Sequence, residues 1–270
     1  MKFQIDHDYH IHSHLSLCSD DPEQTSERIL TYGRENGLRR LCLTDHYWDE
    51  SILGMEEFFF YRDQNTERLR RSLPLPQAED CAFLFGCETD MSYDLRIGIT
   101  RERCEEFDFI IVPTSHMHLT PYTYYADRTD VAVRARDYVR RLEAFVRADL
   151  PFHKVGLAHM TCSLIYTEQN RYLDVLDAIP DSDWADILGE CARLGCGIEL
   201  NMGIGTFADE KLCERVLRPY HIAREKGCRF YLGSDAHHPA GLDSAMKRFV
   251  LMTESLGLCE EHKFHIEKSK

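Results

Sequence analysis

The segment DYHIHSH, residues 8–14, closes an apolar run with two histidines, His10 and His12, set two residues apart. The same pattern recurs along the chain. Asp45 and His46 end LCLTDH at 41–46, Glu88 falls in GCETD at 86–90, His116 closely follows DFIIV at 108–112, and His159 ends VGLAH at 155–159. Asp235 and His237 follow RFYLG at 229–233, and only the run at 196–201 is read as delivering no ligand. Residues two apart on a strand point the same way, so His10 and His12 can clasp one ion.

Short apolar runs at 3–12, 40–44, 82–90, 107–113, 155–159, 196–201 and 229–233 alternate with longer stretches of helical period. This alternation predicts βα units around a parallel sheet. If the sheet closes into a barrel, the C-terminal strand ends share one mouth, and ligands far apart in sequence converge there. Val131, Ala135, Tyr138, Val139, Leu142, Phe145 and Val146 recur at helical spacing. A second helix carries Trp184, Ile187, Leu188, Cys191 and Leu194, with Gly195 as its cap. Thr206 with Asp209 reads as a capping box for a helix that ends before Gly227 and is kinked at Pro219. No repeat, low-complexity tract or linker divides the chain, so a single domain over 1–270 is expected, with 47–80 as a loop-and-helix insertion that shapes a pocket.

The 46 acidic residues outnumber the 32 basic ones, a net charge of −14 that argues against non-specific grip on nucleic acid or an anionic membrane. Neither a signal peptide nor a membrane span is visible, and a cytoplasmic location is expected. Eleven cysteines stand singly with no CxxC pair, which fits buried thiols in a reducing compartment better than a disulfide framework. The densest basic clusters, Arg68 to Arg71 and Arg134 to Arg141, sit at helical spacing and read as solvated helix faces.

Each ligand candidate has a plainer reading when taken alone. The HxH pair could be structural, Asp45 could cap backbone amides in a strand-end turn, and Glu88, His116 and His159 could each be ordinary satisfied side chains. His118 competes with His116, which the spacing from DFIIV favours. Coincidence at six strand ends is a far poorer explanation than any one of these readings. Imidazole and carboxylate ligands suit zinc, manganese or iron, and a shared carboxylate can hold two cations close together.

The ordered segments DYHIHSHLSLCSDD, LCLTDH, GCETD, DFIIVPTSH, VGLAHM, GIELN and YLGSDAHHP resemble the motifs of the PHP family, named for polymerase and histidinol phosphatase, over residues 8 to 239. The resemblance implies a distorted seven-stranded (β/α)7 barrel with two or three divalent metal ions at the C-terminal strand ends. Carried over residue by residue, it gives His10, His12, Glu88 and Asp235 to a first ion. Glu88 bridges to a second ion held by His116 and His159, and His46 and His237 hold a third. Where some relatives carry a histidine, the loop LSLCSDDP has none, and Asp20, followed by Asp21, matches the remaining ligand. Glu88, Asp235 and His237 are the residues expected to carry catalysis.

The implied reaction is hydrolysis of a small phosphate monoester by a metal-bound hydroxide, resembling the histidinol-phosphatase branch. That branch commonly has a basic residue in the loop after the sixth strand, where this chain reads MGIGTFADE; Arg128 and Arg171 are the substitutes, each with a salt bridge as its plainer role. Three alternatives are carried: an amidohydrolase, which normally needs an eighth strand; a non-catalytic metal-binding module; and, within the family, a phosphodiesterase or nuclease. A small-molecule phosphate ester is the expected partner, with no nucleic acid or membrane.

Overall fold

Seven parallel strands form the frame: β1 (His7–Ile11), β2 (Arg40–Leu43), β3 (Ala82–Thr89), β4 (Phe109–Val112), β5 (Val155–Leu157), β6 (Gly197–Leu200) and β7 (Arg229–Leu232). They come from a computed structural model that describes residues 1–266, so the last four residues of the 1–270 domain reading lie outside the described ones. Each strand pairs with its neighbour in chain order. The sheet curls into a nearly closed barrel, and a two-residue strand, His46–Tyr47, pairs with Glu88 and Thr89 beyond the end of β2.

Every predicted strand is present, although β1 begins at His7. The barrel is distorted because two connections lack a full-length helix. Between β2 and β3 the 47–80 insertion forms two short helices, Phe59–Arg62 and Thr66–Arg70, and between β3 and β4 only the turn Arg103–Glu106 is helical. The remaining crossovers carry the helices Ser26–Glu35, Val131–Val146, Tyr172–Ala178, Asp181–Leu194 and Glu210–Glu225, and Pro239–Ser255 follows β7. Gly195 caps its helix with φ 78°, as its position predicts. The next long helix differs from expectation: Asp209 alone is the N-cap, accepting from Leu212 N, Thr206 sits in the preceding 3-10 turn, and the helix runs on through Pro219.

Inside the barrel, Tyr9, Cys42, Phe109, Ile111, Ala158 and Tyr231 form a separate buried cluster with Phe264 and Ile266 of the C-terminal tail. Gly156 makes this possible, since a Cβ there would stand 2.6 Å from the Tyr231 ring and 2.7 Å from Phe109. The tail pairs Lys263 with Phe230 at the start of β7, so its two apolar side chains plug the lower end. Each contributes roughly 1.5–3 kcal/mol if its burial is complete. Strand β1 is irregular between Asp8 and Ile11, which places Tyr9 in the inner cluster and Ile11 in the outer core.

Between β1 and β7 no regular ladder forms. His7 Nε2 accepts from Leu232 N at 3.0 Å and Asp8 Oδ1 from Ser234 N at 2.9 Å. Above them the backbone takes over, with Asp235 N donating to His10 O at 2.7 Å and His12 N to Ala236 O at 3.1 Å. This seam is therefore sewn by side chains below and main chain above.

The basic stretch 134–141 departs from its expected role. Arg136 and Arg140 are exposed, but Arg134 and Arg141 are 7% and 2% exposed. Arg141 donates to the carbonyls of Thr114, Thr123, Ser92, Met91 and His116, and Arg134 to those of Ile165, Arg128 and Met117. Among the described residues no helix is long and apolar enough to cross a membrane.

Candidate metal centre

His10 and His12 rise from β1 with their Nε2 atoms 3.0 Å apart. Both nitrogens also lie 3.3–3.5 Å from Glu88 Oε2 and from Asp235 Oδ1. Glu88, at the end of β3, faces two ways: Oε2 is 3.1 Å from His46 Nδ1, and Oε1 is 3.2 Å from His159 Nε2. The His237 ring stacks on His12 with centroids 4.1 Å apart. His116 stacks on His159 at 4.9 Å and lines the same cleft as His46, Glu88, Asp235 and His237. Eight of the nine expected metal-site residues thus stand around one mouth.

The ninth does not. Asp20 has a side chain 93% exposed and 3.6 Å from His238, so neither it nor Asp21 enters the cluster. The loop turns tightly through Ser16 N to Ser13 O and Ser19 N to Ser16 O, then leaves the mouth where Ser19 Oγ donates to His237 O. Cys18 is the residue it delivers instead. His12, Cys18, His46 and His237 bring ligand atoms within 4.8 Å of one another, as do the sets His10, Glu88, His159 and His10, His12, Asp235.

Most of the imidazoles are aimed by a bond to their far nitrogen. Nδ1 of His10 meets Glu199 Oε1 at 2.6 Å, that of His12 meets Ser16 Oγ at 2.9 Å, that of His116 meets Asp90 Oδ2 at 2.8 Å, and that of His159 meets Ser115 Oγ at 2.8 Å. Such bonds fix ring orientation and leave Nε2 for the centre. His46 differs: its Nδ1 is buried and makes no hydrogen bond, although Glu88 Oε2 lies 3.1 Å away, out of line for one. That orphaned atom and the bare pair of Nε2 atoms are hard to reconcile with a site built only for protein contacts, and the donor set suits divalent metal ions.

Charge reinforces the geometry. Burial pulls His10 down, but Glu199, Asp235 and Glu88 outweigh it and raise its pKa well above the usual imidazole value; His12 and His159 are raised as well. Burial also opposes ionisation of Glu88 and Asp235, yet His46 and His10 hold the first, and His10 and His12 the second, well below the carboxylate range. His46 is driven well below its usual value by burial, and His237 down to about 4 by burial and by His12. His159 and Asp235 both adopt positive φ, 24° and 53°, a local strain of the kind that concentrates at functional positions.

Several supporting residues escape a reading of strand ends alone. Glu199, on the run read as delivering nothing, is fully buried and also accepts from His159 N at 2.7 Å. Its signal was a carboxylate inside an apolar strand, which has to be bonded when buried. Gly233 leaves it room, since a Cβ there would stand 2.0 Å from Glu199 Oε1. Asp90 lies two residues beyond Glu88, on the same side of the chain. Asp45 takes the capping role, accepting from Ser13 N, Ser13 Oγ and Ser16 Oγ at 2.7 Å each. Arg128 pairs with Asp137, and Arg171 bonds the Tyr166 hydroxyl. Replacing Glu199 by Gln should weaken metal affinity about 10–100-fold with every direct donor still present. Competition against a chelator measures this, and an unchanged affinity would remove Glu199 from the site's design.

The PHP domain family matches residues 8–202, which takes in His10 through His159 and stops short of Asp235 and His237. No curated protein matches the chain significantly. Among solved structures, a histidinol phosphate phosphatase from Lactococcus lactis subsp. lactis, complexed with zinc, L-histidinol and phosphate, is 17% identical, covers 96% of this chain and 98% of its own, and has a TM-score of 0.55. A candidate histidinol phosphatase from Listeria monocytogenes is 16% identical over 90% of this chain and 99% of its own, with a TM-score of 0.63. At such identities the two structures speak for the fold, while the family match spans most of the sequence: the chain belongs to the PHP domain family and, with it, to the metal-dependent phosphoesterases.

Proposed function

We propose that the chain, as one domain over 1–270, hydrolyses a small phosphate monoester using two or three divalent cations, with zinc, manganese or iron as the candidates. The observation that carries this reading is Glu88, whose two oxygens face separate groups of histidines as a bridging carboxylate must. His10, His12, Glu88 and Asp235 would hold one ion, Glu88, His116 and His159 a second, and His46 with His237 a third. When bound, such ions offset the charge of a phosphate dianion and lower the pKa of coordinated water toward neutrality.

The chain's own residues bind and orient the ester. Phe60, Tyr61, Leu119 and Leu164 wall a cleft of about 230 Å³, whose described lining contains no lysine or arginine. Phosphate charge would then be met locally by the ions, which suits a compact ligand and not a polymer. His118 lines the same cleft. A neighbouring compartment of about 370 Å³ shares Leu164 and Asp235 and is lined by Thr161, Ser163, Tyr172 and Asn201, a fit for the alcohol part of the ester. The Lactococcus neighbour, with histidinol and phosphate bound, supports this class of substrate. Eleven unpaired thiols support a reducing, cytoplasmic setting.

The test is phosphate release from aryl phosphates, sugar phosphates, nucleotide monophosphates and histidinol phosphate, with amides, a phosphodiester and single-stranded DNA alongside, under each metal. Preference by kcat/KM for the polymer, the diester or the amide would overturn the reading. Bound metal without turnover of any ester would favour the non-catalytic module.

Metal uptake should also release protons. His10, His12 and His159 have raised pKa values, so a proton competes with a cation for these nitrogens over a higher pH range than for an ordinary imidazole. Apparent affinity should therefore climb as pH rises. Titrating metal-free protein with zinc in weakly buffered indicator dye reads the protons directly, and uptake without acidification would contradict the charge pattern.

A further inference from the structure

We propose that Cys18 is a metal ligand in this chain, its thiolate joining His46 and His237 at the third position; the proposal rests on the metal-dependent reading above. No carboxylate from the loop after β1 reaches that position, because Asp20 and Asp21 stay outside the cluster. The Cys18 sulfur and a ring nitrogen of each of His46 and His237 fall within 4.8 Å of one another, and His12, assigned to the first ion, borders the same group. Ligands on one tetrahedral ion stand about 3.3–3.8 Å apart, so a contraction of at most about 1.5 Å brings the sulfur and the two imidazoles onto one ion.

Two further observations separate Cys18 from a stray surface thiol. His46, only 5% exposed, has a buried Nδ1 that makes no hydrogen bond, the carboxylate nearest it, Glu88 Oε2 at 3.1 Å, lying out of line for one. The loop is also pinned on either side of the cysteine. Leu17 N donates to Gln64 Oε1 at 2.9 Å, anchoring it to the 47–80 insertion, and Ser19 Oγ donates to His237 O at 2.6 Å, anchoring it to the segment after β7. Cys18 is held at the mouth by both.

The chemistry is a simple exchange: the thiol loses its proton to solvent as the sulfur bonds to the cation, which needs no oxidant or reductant. A thiolate with imidazoles is a softer donor set than carboxylate with imidazoles, and it favours zinc over manganese. This position would thus differ in metal preference from the two built around Glu88.

Cobalt(II) reconstitution of the full-length protein tests the assignment without relying on turnover. Wild type should show a thiolate-to-cobalt charge-transfer band in the near ultraviolet. Cys18→Ser should lose that band and bind one cation fewer, its affinity for zinc at that position falling by more than about 100-fold, beyond the cost of losing an outer-shell partner. Cys18→Asp should restore the count without the band and move the zinc-to-manganese affinity ratio at least about 10-fold toward manganese. A wild type that binds cobalt without the band, or a Cys18→Ser protein that keeps both the band and the full count, overturns the ligand role and leaves the phosphoesterase reading standing. A wild type that binds no cation overturns both.

Discussion

Glu88→Gln is expected to empty two metal positions at once and to lower kcat/KM for phosphate-ester hydrolysis by more than about 100-fold, beyond what the loss of an outer-shell partner costs. An amide keeps the shape of the side chain but replaces one ligating oxygen with nitrogen that carries no lone pair for a cation. Because Oε1 faces His159 and Oε2 faces His10, His12 and His46, one group loses its ligating oxygen whichever way the amide turns, and the other loses the carboxylate charge that held its cation. The metal-free variant should be weakened too, since four imidazoles lose the buried charge they surround. Metal analysis after dialysis, beside a turnover assay, gives the result. Glu67→Gln, at a side chain 84% exposed, is the control that should change neither. Wild-type stoichiometry and turnover in Glu88→Gln would rule out the bridge.

Arg141→Met should cost on the order of 3–5 kcal/mol in stability, large for a single substitution, because it strips the donor from buried carbonyls that then lack partners. The guanidinium joins Met91 and Ser92, beyond β3, to Thr114, His116 and Thr123, beyond β4. Those two loops carry Asp90 and His116, so the damage should reach the metal centre as lower affinity. Arg141→Lys should recover little, because an ammonium cannot reproduce a planar fork of five donors. Urea denaturation of the metal-free proteins measures the loss. A cost below about 1 kcal/mol would mean that water or a shifted side chain takes over those carbonyls.

The contrast between Arg141 and the strands shows what kind of information the sequence holds. Strand positions were legible because each is a short apolar run between helical stretches, and the convergence of His10, His46, Glu88, His159 and Asp235 follows from strand ends sharing one mouth. Arg134 and Arg141 are buried where helical spacing alone predicts a solvated face, and they share a helical stripe with Tyr138 and Phe145. That stripe faces loop carbonyls, and no side-chain pattern reveals where backbone oxygens lie unpaired. Asp20 was chosen for its ligand chemistry, whereas the turn through Ser13, Ser16 and Ser19 decided which residue reaches the cleft. Glu199 stands out as a carboxylate in an apolar run, but it lies within the strand, where the strand-end rule that points to the ligands does not reach.

The seam where β1 meets β7 places His10 and His12 against Asp235 and His237, which join the chain more than 220 residues later. Contacts of such separation carry the largest loop-closure entropy. A chain interrupted before residue 235 would hold His10, His12, Glu88 and His159 with nothing to shut the ring around them. Cations held across the seam as proposed would act as a latch on the closed ring, and tight retention of metal would mark a chain whose two ends have met.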